Sequence, residues 1–101
     1  MTEHPDEITP AHPFPFEHPA VTVRPCNGGI QWVFRFANGY GASVVQHPYS
    51  YGGDQGLWEM AVTDHSGRLV YTTPVTDDVL GYQDEQQIAA ALDQTCRLEA
   101  M

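Results

Sequence analysis

Hydrophobic and polar residues alternate with a period of two along much of the chain after residue 28. In residues 30–36, IQWVFRF, the aromatic residues Trp32, Phe34 and Phe36 fall on one side, and mainly polar residues fall on the other. This alternation is typical of a strand that buries one face. The same pattern continues in residues 40–47, 57–63 and 68–73, so the sequence predicts four strands.

Short turn sequences separate these predicted strands. Asn38-Gly39 tolerates the positive φ angles of a tight two-residue hairpin, and residues 64–67, DHSG, have a turn composition. Consecutive strands joined by short turns usually pair with each other. We therefore expect a four-stranded antiparallel meander, with the fourth strand ending at Pro74.

The period changes near the C-terminus. Apolar or small residues recur there at spacings of three and four, namely Ile88, Ala91, Leu92, Thr95 and Leu98. Asp84 and Glu85 suit the start of a helix, so we expect a helix over about 83–99 that covers one face of the sheet. The segment before it reads as a loop with one short helical turn, capped by Thr76 or Asp77 and ended by Gly81. Residues 29–101 thus form an α+β domain.

Residues 1–28 differ from this domain in composition. Six of the eight prolines lie within residues 1–25, and proline fixes φ and removes an amide donor. The sequence predicts an extended or disordered Pro-rich arm. Composition favours a disordered leader, and the alternative is a docking arm whose Phe14 and Phe16 enter a groove on the domain or on a partner.

The charge balance restricts the classes of partner. Thirteen acidic residues face four arginines and no lysine, for a formal net charge of −9. Direct nucleic-acid binding relies on a dense basic surface, so we expect none. No stretch approaches the roughly 20 apolar residues of a membrane helix. Cys26 and Cys96 form neither a disulfide framework nor a CxxC motif, which favours a soluble protein of the cytoplasm with reduced thiols.

The glycines of FANGYGASVV, residues 36–45, raise the possibility of a phosphate site. A phosphate-binding loop needs glycines between a strand and a helix N-terminus. Gly39 and Gly41 instead lie between two predicted strands. We expect a plain hairpin, with Gly41 at a bulge or under the side chain of Trp58 or Tyr40.

Candidate metal and catalytic residues have simpler explanations. Asp77 and Asp78 are suited to Mg²⁺ together with Asp54 or Glu59, but adjacent aspartates also serve as helix caps, which is the favoured interpretation. His4, His12 and His18 lie on the arm, which is a poor scaffold for zinc. Cys96 is predicted to be a small core residue. We therefore expect no cofactor, no metal site and no enzyme activity.

Aromatic and acidic residues cluster in two loops, PYSYGGDQG at 48–56 and TDDVLGY at 76–82. Tyr and Trp beside loops often mark binding surfaces, and they also serve as lids over a small sheet. Both interpretations stay open. The candidate interaction surface consists of Tyr49, Tyr51, Asp54, Trp58, Asp77, Asp78 and Tyr82.

Several phrases resemble one known family. FRFANGYGASVVQHPYSYGG, GLWEMAV and YTTPVTDDVLGY, followed by an acidic helix, look like a family of small uncharacterised proteins encoded in actinobacterial phage genomes. The resemblance covers about residues 32–99, and the long Pro-rich arm departs from the shorter members. It implies no activity, but it implies expression in the cytoplasm of a bacterial host.

These observations predict a non-enzymatic phage accessory protein that acts through contact with an unknown host or phage protein. A homodimer is a further hypothesis, because one helix leaves part of the sheet uncovered. One alternative is an acidic, nucleic-acid-mimicking inhibitor of a host nucleic-acid enzyme or defence system. The other is a small metal-dependent enzyme that uses Asp77 and Asp78.

Overall fold

The computed structural model describes residue 18 and residues 22–100. Among these residues, five strands form one antiparallel sheet in sequence order, followed by one α-helix. The elements are β1 Thr22–Cys26, β2 Gly29–Arg35, β3 Gly41–Gln46, β4 Trp58–Thr63, β5 Leu80–Gln83 and α1 Glu85–Cys96, with a short 3-10 helix at Gly53–Gln55. The predicted α+β meander with a C-terminal helix is confirmed, with five strands in place of four.

The first strand comes from residues that the sequence assigned to the arm. β1 pairs with β2, and Pro25 is compatible with it because β1 is an edge strand. Asn27 and Gly28 connect the two strands with φ angles of 49° and 87°. The tight Asn-Gly hairpin therefore occurs at residues 27–28. Phe14 and Phe16 lie outside the described residues.

The hairpin between β2 and β3 is longer than predicted. The Phe36 N–H donates to the Tyr40 carbonyl at 2.8 Å, so three residues form the loop, and within it only Gly39 has a positive φ, 94°. The predicted two-residue turn is wrong here. The longer loop leaves the Asn38 amide free to donate to the carbonyls of Thr95 at 2.8 Å and Leu98 at 3.0 Å. Asn38 thus fastens the hairpin to the end of α1.

Residues 68–73 do not form the predicted fourth strand. They contribute one bridge, between Thr63 and Leu69, and a hydrogen bond from the Val70 N–H to the Val62 carbonyl at 2.8 Å. Val70 and Val75 then pack against the core, which draws the chain off the edge of β4. The other end of that edge pairs with β5, so two separate segments share the edge of β4.

The strand β5 falls where the sequence predicted a loop with a helical turn. It contains a bulge, because Trp58 pairs with Gln83 and Met60 with Leu80, so that two residues oppose one. The two residues of the bulge are Gly81 and Tyr82. Gly81 therefore ends no helical turn. Thr76 caps none either, since its Oγ1 accepts the Asp78 N–H at 3.0 Å in a local side-chain turn.

The helix α1 begins as its sequence predicts. The Asp84 carboxylate accepts the Gln87 N–H at 2.8 Å, and the Gln87 side chain accepts the Asp84 N–H at 2.8 Å. This reciprocal capping box satisfies two otherwise unpaired donors. The face of α1 turned to the sheet carries the predicted residues Ile88, Ala91, Leu92 and Thr95, all of them buried.

The core lies between α1 and one face of the sheet. The sheet contributes to it the predicted alternating side chains Ile30, Trp32, Phe34, Ala42, Val44, Trp58, Met60 and Val62. The rings of Trp32 and Trp58 stack with centroids 5.1 Å apart. Gly41 is needed because the neighbouring strands approach closely: a Cβ there would meet the Phe34 carbonyl and would lie 2.7 Å from the Thr63 Oγ1, so these groups, and not the predicted Trp58 ring, are its close contacts. None of the helices in the described part of the chain is long and apolar enough to cross a membrane.

Candidate functional site

The loop between β3 and β4 and the strand β5, which are distant in sequence, meet at a pair of exposed tyrosines. The rings of Tyr51 and Tyr82 stack with centroids 6.4 Å apart and an interplanar angle of 23°. The Tyr82 N–H donates to the Tyr51 carbonyl at 3.1 Å. The two residues are 57% and 55% exposed. Both belong to the predicted interaction surface, and with the neighbouring Tyr49 we name them the tyrosine surface.

Glycines allow this close approach. A Cβ on Gly81 would lie 2.6 Å from the Tyr51 Cβ, and a Cβ on Gly52 would lie 2.9 Å from the Tyr82 Cα. Real Cβ atoms do not tolerate such distances, because protein interiors are close-packed. The absence of a side chain at Gly52 and Gly81 therefore lets the two tyrosine backbones lie close together.

Tyr82 adopts an unusual backbone conformation. Its φ is 56°, in the left-handed region, which few residues other than glycine occupy. Such a conformation costs about 1–3 kcal/mol and persists where the surrounding structure holds it. The bulge and the hydrogen bond to Tyr51 hold it here. Tyr82 is therefore exposed at the surface in a strained backbone conformation.

The loop between β3 and β4 is internally bonded. The buried Ser50 hydroxyl accepts the His47 N–H at 3.0 Å and donates to the His47 carbonyl at 2.9 Å. The Tyr49 N–H donates to His47 Nδ1 at 3.1 Å. Tyr49 is 82% exposed. The Tyr51 N–H donates to the Glu59 carboxylate at 2.8 Å. These bonds fix where Tyr49 and Tyr51 are presented.

A shallow hollow of about 350 Å³ adjoins this loop. It is lined by Gly56, Leu57, Trp58, Asp84, Glu85 and Gln86. The Leu57 N–H donates to the Gly52 carbonyl at 2.9 Å, which joins the hollow to the tyrosine loop. The predicted surface residue Trp58 is only 7% exposed and belongs to the core, whereas the acidic start of α1 adds charge that the sequence assigned only to helix capping.

The other predicted acidic residues are exposed but do not converge. Asp54 lies on the 3-10 helix, and Asp77 and Asp78 lie in the segment before β5. Glu59 is engaged with the Tyr51 backbone. Over residues 18 and 22–100, these acids form no group of three with ligand atoms close enough to share an ion. The hypothesis of a metal enzyme built on Asp77 and Asp78 gains no support from this arrangement.

A different set of potential metal ligands does converge. The ligand atoms of His18, Asp93 and Cys96 all lie within 4.8 Å of one another, the single such group in the described part of the chain. His18 Nε2 lies 2.7 Å from Asp93 Oδ1, and the Cys96 thiol donates to the Asp93 carbonyl at 3.2 Å. Cys96 is half-buried, so it is not the core residue that the sequence predicted. The spacing of Asp93 and Cys96 places them on one helix face, but no sequence signal brings His18 to them.

The face of the sheet away from α1 carries a chain of polar contacts. The Arg24 Nε–H donates to Gln31 Oε1 at 2.7 Å, and the Gln31 amide donates to the Ser43 hydroxyl at 2.8 Å. These three residues line a hollow of about 250 Å³ together with Arg35 and Thr63. This face therefore carries polar side chains around Val33, whereas the core face is apolar.

Comparison of the chain with models of known protein families, with curated proteins and with solved structures found no significant match.

Proposed function

We propose that this chain is a non-enzymatic accessory protein of an actinobacterial phage that acts by binding a protein in the host cytoplasm through its tyrosine surface. The phage origin is supported by the sequence phrases of residues 32–99. The observation that carries the binding function is the stacked, exposed Tyr51–Tyr82 pair, held by a bulge and two closely packed glycines.

Physical chemistry favours this surface as a contact site. Tyrosine offers a large apolar area with few rotatable bonds, and tyrosines are enriched among the residues that dominate binding energy. Hydrogen bonds to His47 and Glu59 fix the backbone beneath the rings before binding, which lowers the entropy cost of association. The strained backbone of Tyr82 also supports a contact site here, since residues with strained backbone conformations cluster at functional sites.

The experiment is affinity capture from host lysate with the full chain, followed by affinity measurement on the captured protein. The double variant Tyr51→Ala/Tyr82→Gly should weaken binding at least about 30-fold, as loss of two aromatic anchors requires. The matched control is Tyr71→Ala, which removes another exposed tyrosine, 47% exposed, and should leave affinity unchanged. Equal loss in both variants, or in neither, contradicts the proposed surface.

The charge around the hollow favours a basic partner. Asp84 and Glu85 line it, and Asp54 is exposed on the adjoining loop. Screening shortens the reach of such charges to about 10 Å at 0.1 M salt and to less above that. We expect affinity to fall when the salt concentration is raised to about 0.5 M, and salt-independent binding would contradict a basic partner.

An inhibitor of a host nucleic-acid enzyme or defence system is the second candidate. The exposed carboxylates of Asp54, Asp77 and Asp78 favour it, because they present negative charge as phosphates do. Competition between this protein and DNA for the captured partner tests it. If the partner binds DNA equally well in the presence of this protein, the inhibitor hypothesis fails while the contact function stands.

A further inference from the structure

The cluster of His18, Asp93 and Cys96 brings three different metal-ligand chemistries to one place. Asp93 and Cys96 lie one turn apart on α1, and His18 comes from a separate part of the chain. The cluster is near the C-terminal end of α1, whereas the hollow of the proposed contact site is at its N-terminal end. The cluster is therefore separate from the tyrosine surface.

The distances suit a tetrahedral ion with little rearrangement. Zinc bonds of about 2.0–2.3 Å at tetrahedral angles separate neighbouring ligand atoms by about 3.3–3.6 Å. The three ligand atoms already lie within 4.8 Å of one another, and the His18–Asp93 distance of 2.7 Å must lengthen by about 0.6 Å when an ion replaces the shared proton. Side-chain rotation alone accomplishes such a shift.

Neighbouring residues hold the cluster in position. The His18 ring packs edge-on against Phe36, with centroids 5.5 Å apart and an interplanar angle of 80°. Two residues further along, the Asn38 amide donates to the carbonyl of Thr95, in the last turn of α1, and to that of Leu98, just after the helix. The β2–β3 hairpin thus supports both the histidine and the helix segment that carries the other two ligands.

The ligand set selects the ion. Imidazole nitrogen, thiolate sulfur and carboxylate oxygen together favour Zn²⁺ over Mg²⁺ or Ca²⁺, which prefer oxygen alone. A neutral imidazole, one thiolate and one carboxylate leave a Zn²⁺ site with no net charge. The His18 and Asp93 side chains are 26% and 45% exposed, so water can reach a fourth position.

We propose that His18, Asp93 and Cys96 bind Zn²⁺, with water as the fourth ligand, and that the ion fastens residue 18 to α1. Binding displaces the proton shared by His18 Nε2 and Asp93 Oδ1 to solvent, so that the neutral imidazole carries its one proton on Nδ1, and it also releases the thiol proton of Cys96 to solvent. The three protein ligand atoms are then the Nε2 of His18, a carboxylate oxygen of Asp93 and the thiolate sulfur of Cys96.

The test is a titration of the full, reduced, metal-free chain with Co²⁺, which reports thiolate ligation in its spectrum. We expect a thiolate-to-cobalt charge-transfer band and the visible bands of a tetrahedral site, both displaced by Zn²⁺. Cys96→Ser should abolish the charge-transfer band. Cys26→Ser is the matched control and should retain it, because Cys26 lies outside the cluster.

A second pair of variants separates this site from adventitious binding by the arm. His18→Ala should weaken Zn²⁺ binding, measured by competition with a chromophoric chelator, at least about tenfold, since even an indirect partner of a metal site is worth that much. His12→Ala removes another histidine that precedes proline and should leave the affinity unchanged.

Protection of the thiol gives a measurement that does not depend on cobalt. In the Cys26→Ser chain, Zn²⁺ should slow alkylation of Cys96 at least about tenfold when the site is occupied. Three results overturn the proposal: no charge-transfer band in the unmodified chain, a band that survives Cys96→Ser, or equal weakening by His12→Ala and His18→Ala.

Discussion

At the scale of single residues, the contacts of Asn38 and the backbone conformation of Tyr82 do not follow from their neighbours in the sequence. Asn38 lies in a hairpin loop, yet its amide donates to two carbonyls at the end of α1. Tyr82 lies in a strand, yet its φ of 56° suits glycine better than tyrosine. Asn38 is positioned by the carbonyls at the end of α1, and Tyr82 by the Tyr51 carbonyl that accepts its N–H.

Replacement of Tyr82 should reverse the usual order of alanine and glycine. Glycine normally destabilises a strand relative to alanine, but in the left-handed region it avoids the Cβ penalty. We expect Tyr82→Gly to be more stable than Tyr82→Ala by about 1 kcal/mol. Urea unfolding of the two variants measures this, and greater stability of Tyr82→Ala contradicts the backbone conformation.

Loss of the Asn38 amide should destabilise the end of the helix. Asn38→Asp keeps the oxygen that accepts the Tyr40 N–H at 3.0 Å but cannot donate to the carbonyls of α1. Two lost hydrogen bonds predict a decrease of about 1–3 kcal/mol in the free energy of unfolding. Gln94→Ala, at an exposed helix position, is the control and should change little. A fully stable Asn38→Asp would show that the bonds contribute nothing.

The pKa of Asp64, in the turn after β4, lies below its ordinary value. A hydrogen bond from the Ser66 hydroxyl, aided by backbone N–H groups of Arg68 and Ser66, lowers the pKa of Asp64. The stabilisation is therefore present above the pKa of the unfolded chain and is lost as the pH falls through the lower folded value. Ser66→Ala should raise the pKa of Asp64 toward its ordinary value, as followed by NMR titration of its carboxyl carbon. An unchanged pKa contradicts the assigned cause.

At the scale of elements, the edge of β4 determines how the second half of the chain is arranged. Residues 69–70 bond to one end of β4 and β5 pairs with the other. The segment between them leaves the sheet, which allows Val75 to pack against the core. The bulge in β5 then turns Tyr82 toward Tyr51. The tyrosine surface is therefore a product of strand pairing.

Substitution of Gly81 should disrupt this arrangement. A Cβ there would lie 2.6 Å from the Tyr51 Cβ, so Gly81→Ala should push β5 away from the loop that carries Tyr51. Overpacking of this kind costs about 1–3 kcal/mol. Thermal unfolding measures the loss, and chemical shifts of Tyr51 report the displacement. As a control, Gly56→Ala has open space around the new methyl but a φ of 77° that strains alanine, so it should lose stability without displacing the Tyr51 resonances.

At the scale of the whole molecule, the sheet has one apolar and one polar face. The core face packs against α1, while the opposite face carries the Arg24, Gln31 and Ser43 contacts. Polar side chains surround Val33 on this face, so it offers less apolar area for self-association than the core face would. The net charge of −9 adds repulsion between copies of the chain.

The homodimer hypothesis is tested by mass. Because the uncovered face is polar, we expect light scattering to give the mass of one chain at micromolar concentration. A mass of two chains would contradict this expectation. The variant Val33→Asp, on the uncovered face, would then show whether that face forms the interface, since a buried charge there would restore the monomer.

The sequence by itself determined the strands β2, β3 and β4, the helix with its cap, and the meander, because alternation and capping are local properties. It also placed Tyr51 in a loop rich in aromatic and acidic residues, whereas Tyr82, predicted in a loop, lies in β5. It misplaced the tight Asn-Gly turn and the last strand, because the register of β2 against β3 and the pairing along the edge of β4 are set by contacts between segments and not by local sequence. Only the tertiary structure decided that Asn38 binds a helix end and that His18 meets Asp93 and Cys96. Each of these contacts joins residues far apart in the chain, and no local preference encodes such a distance.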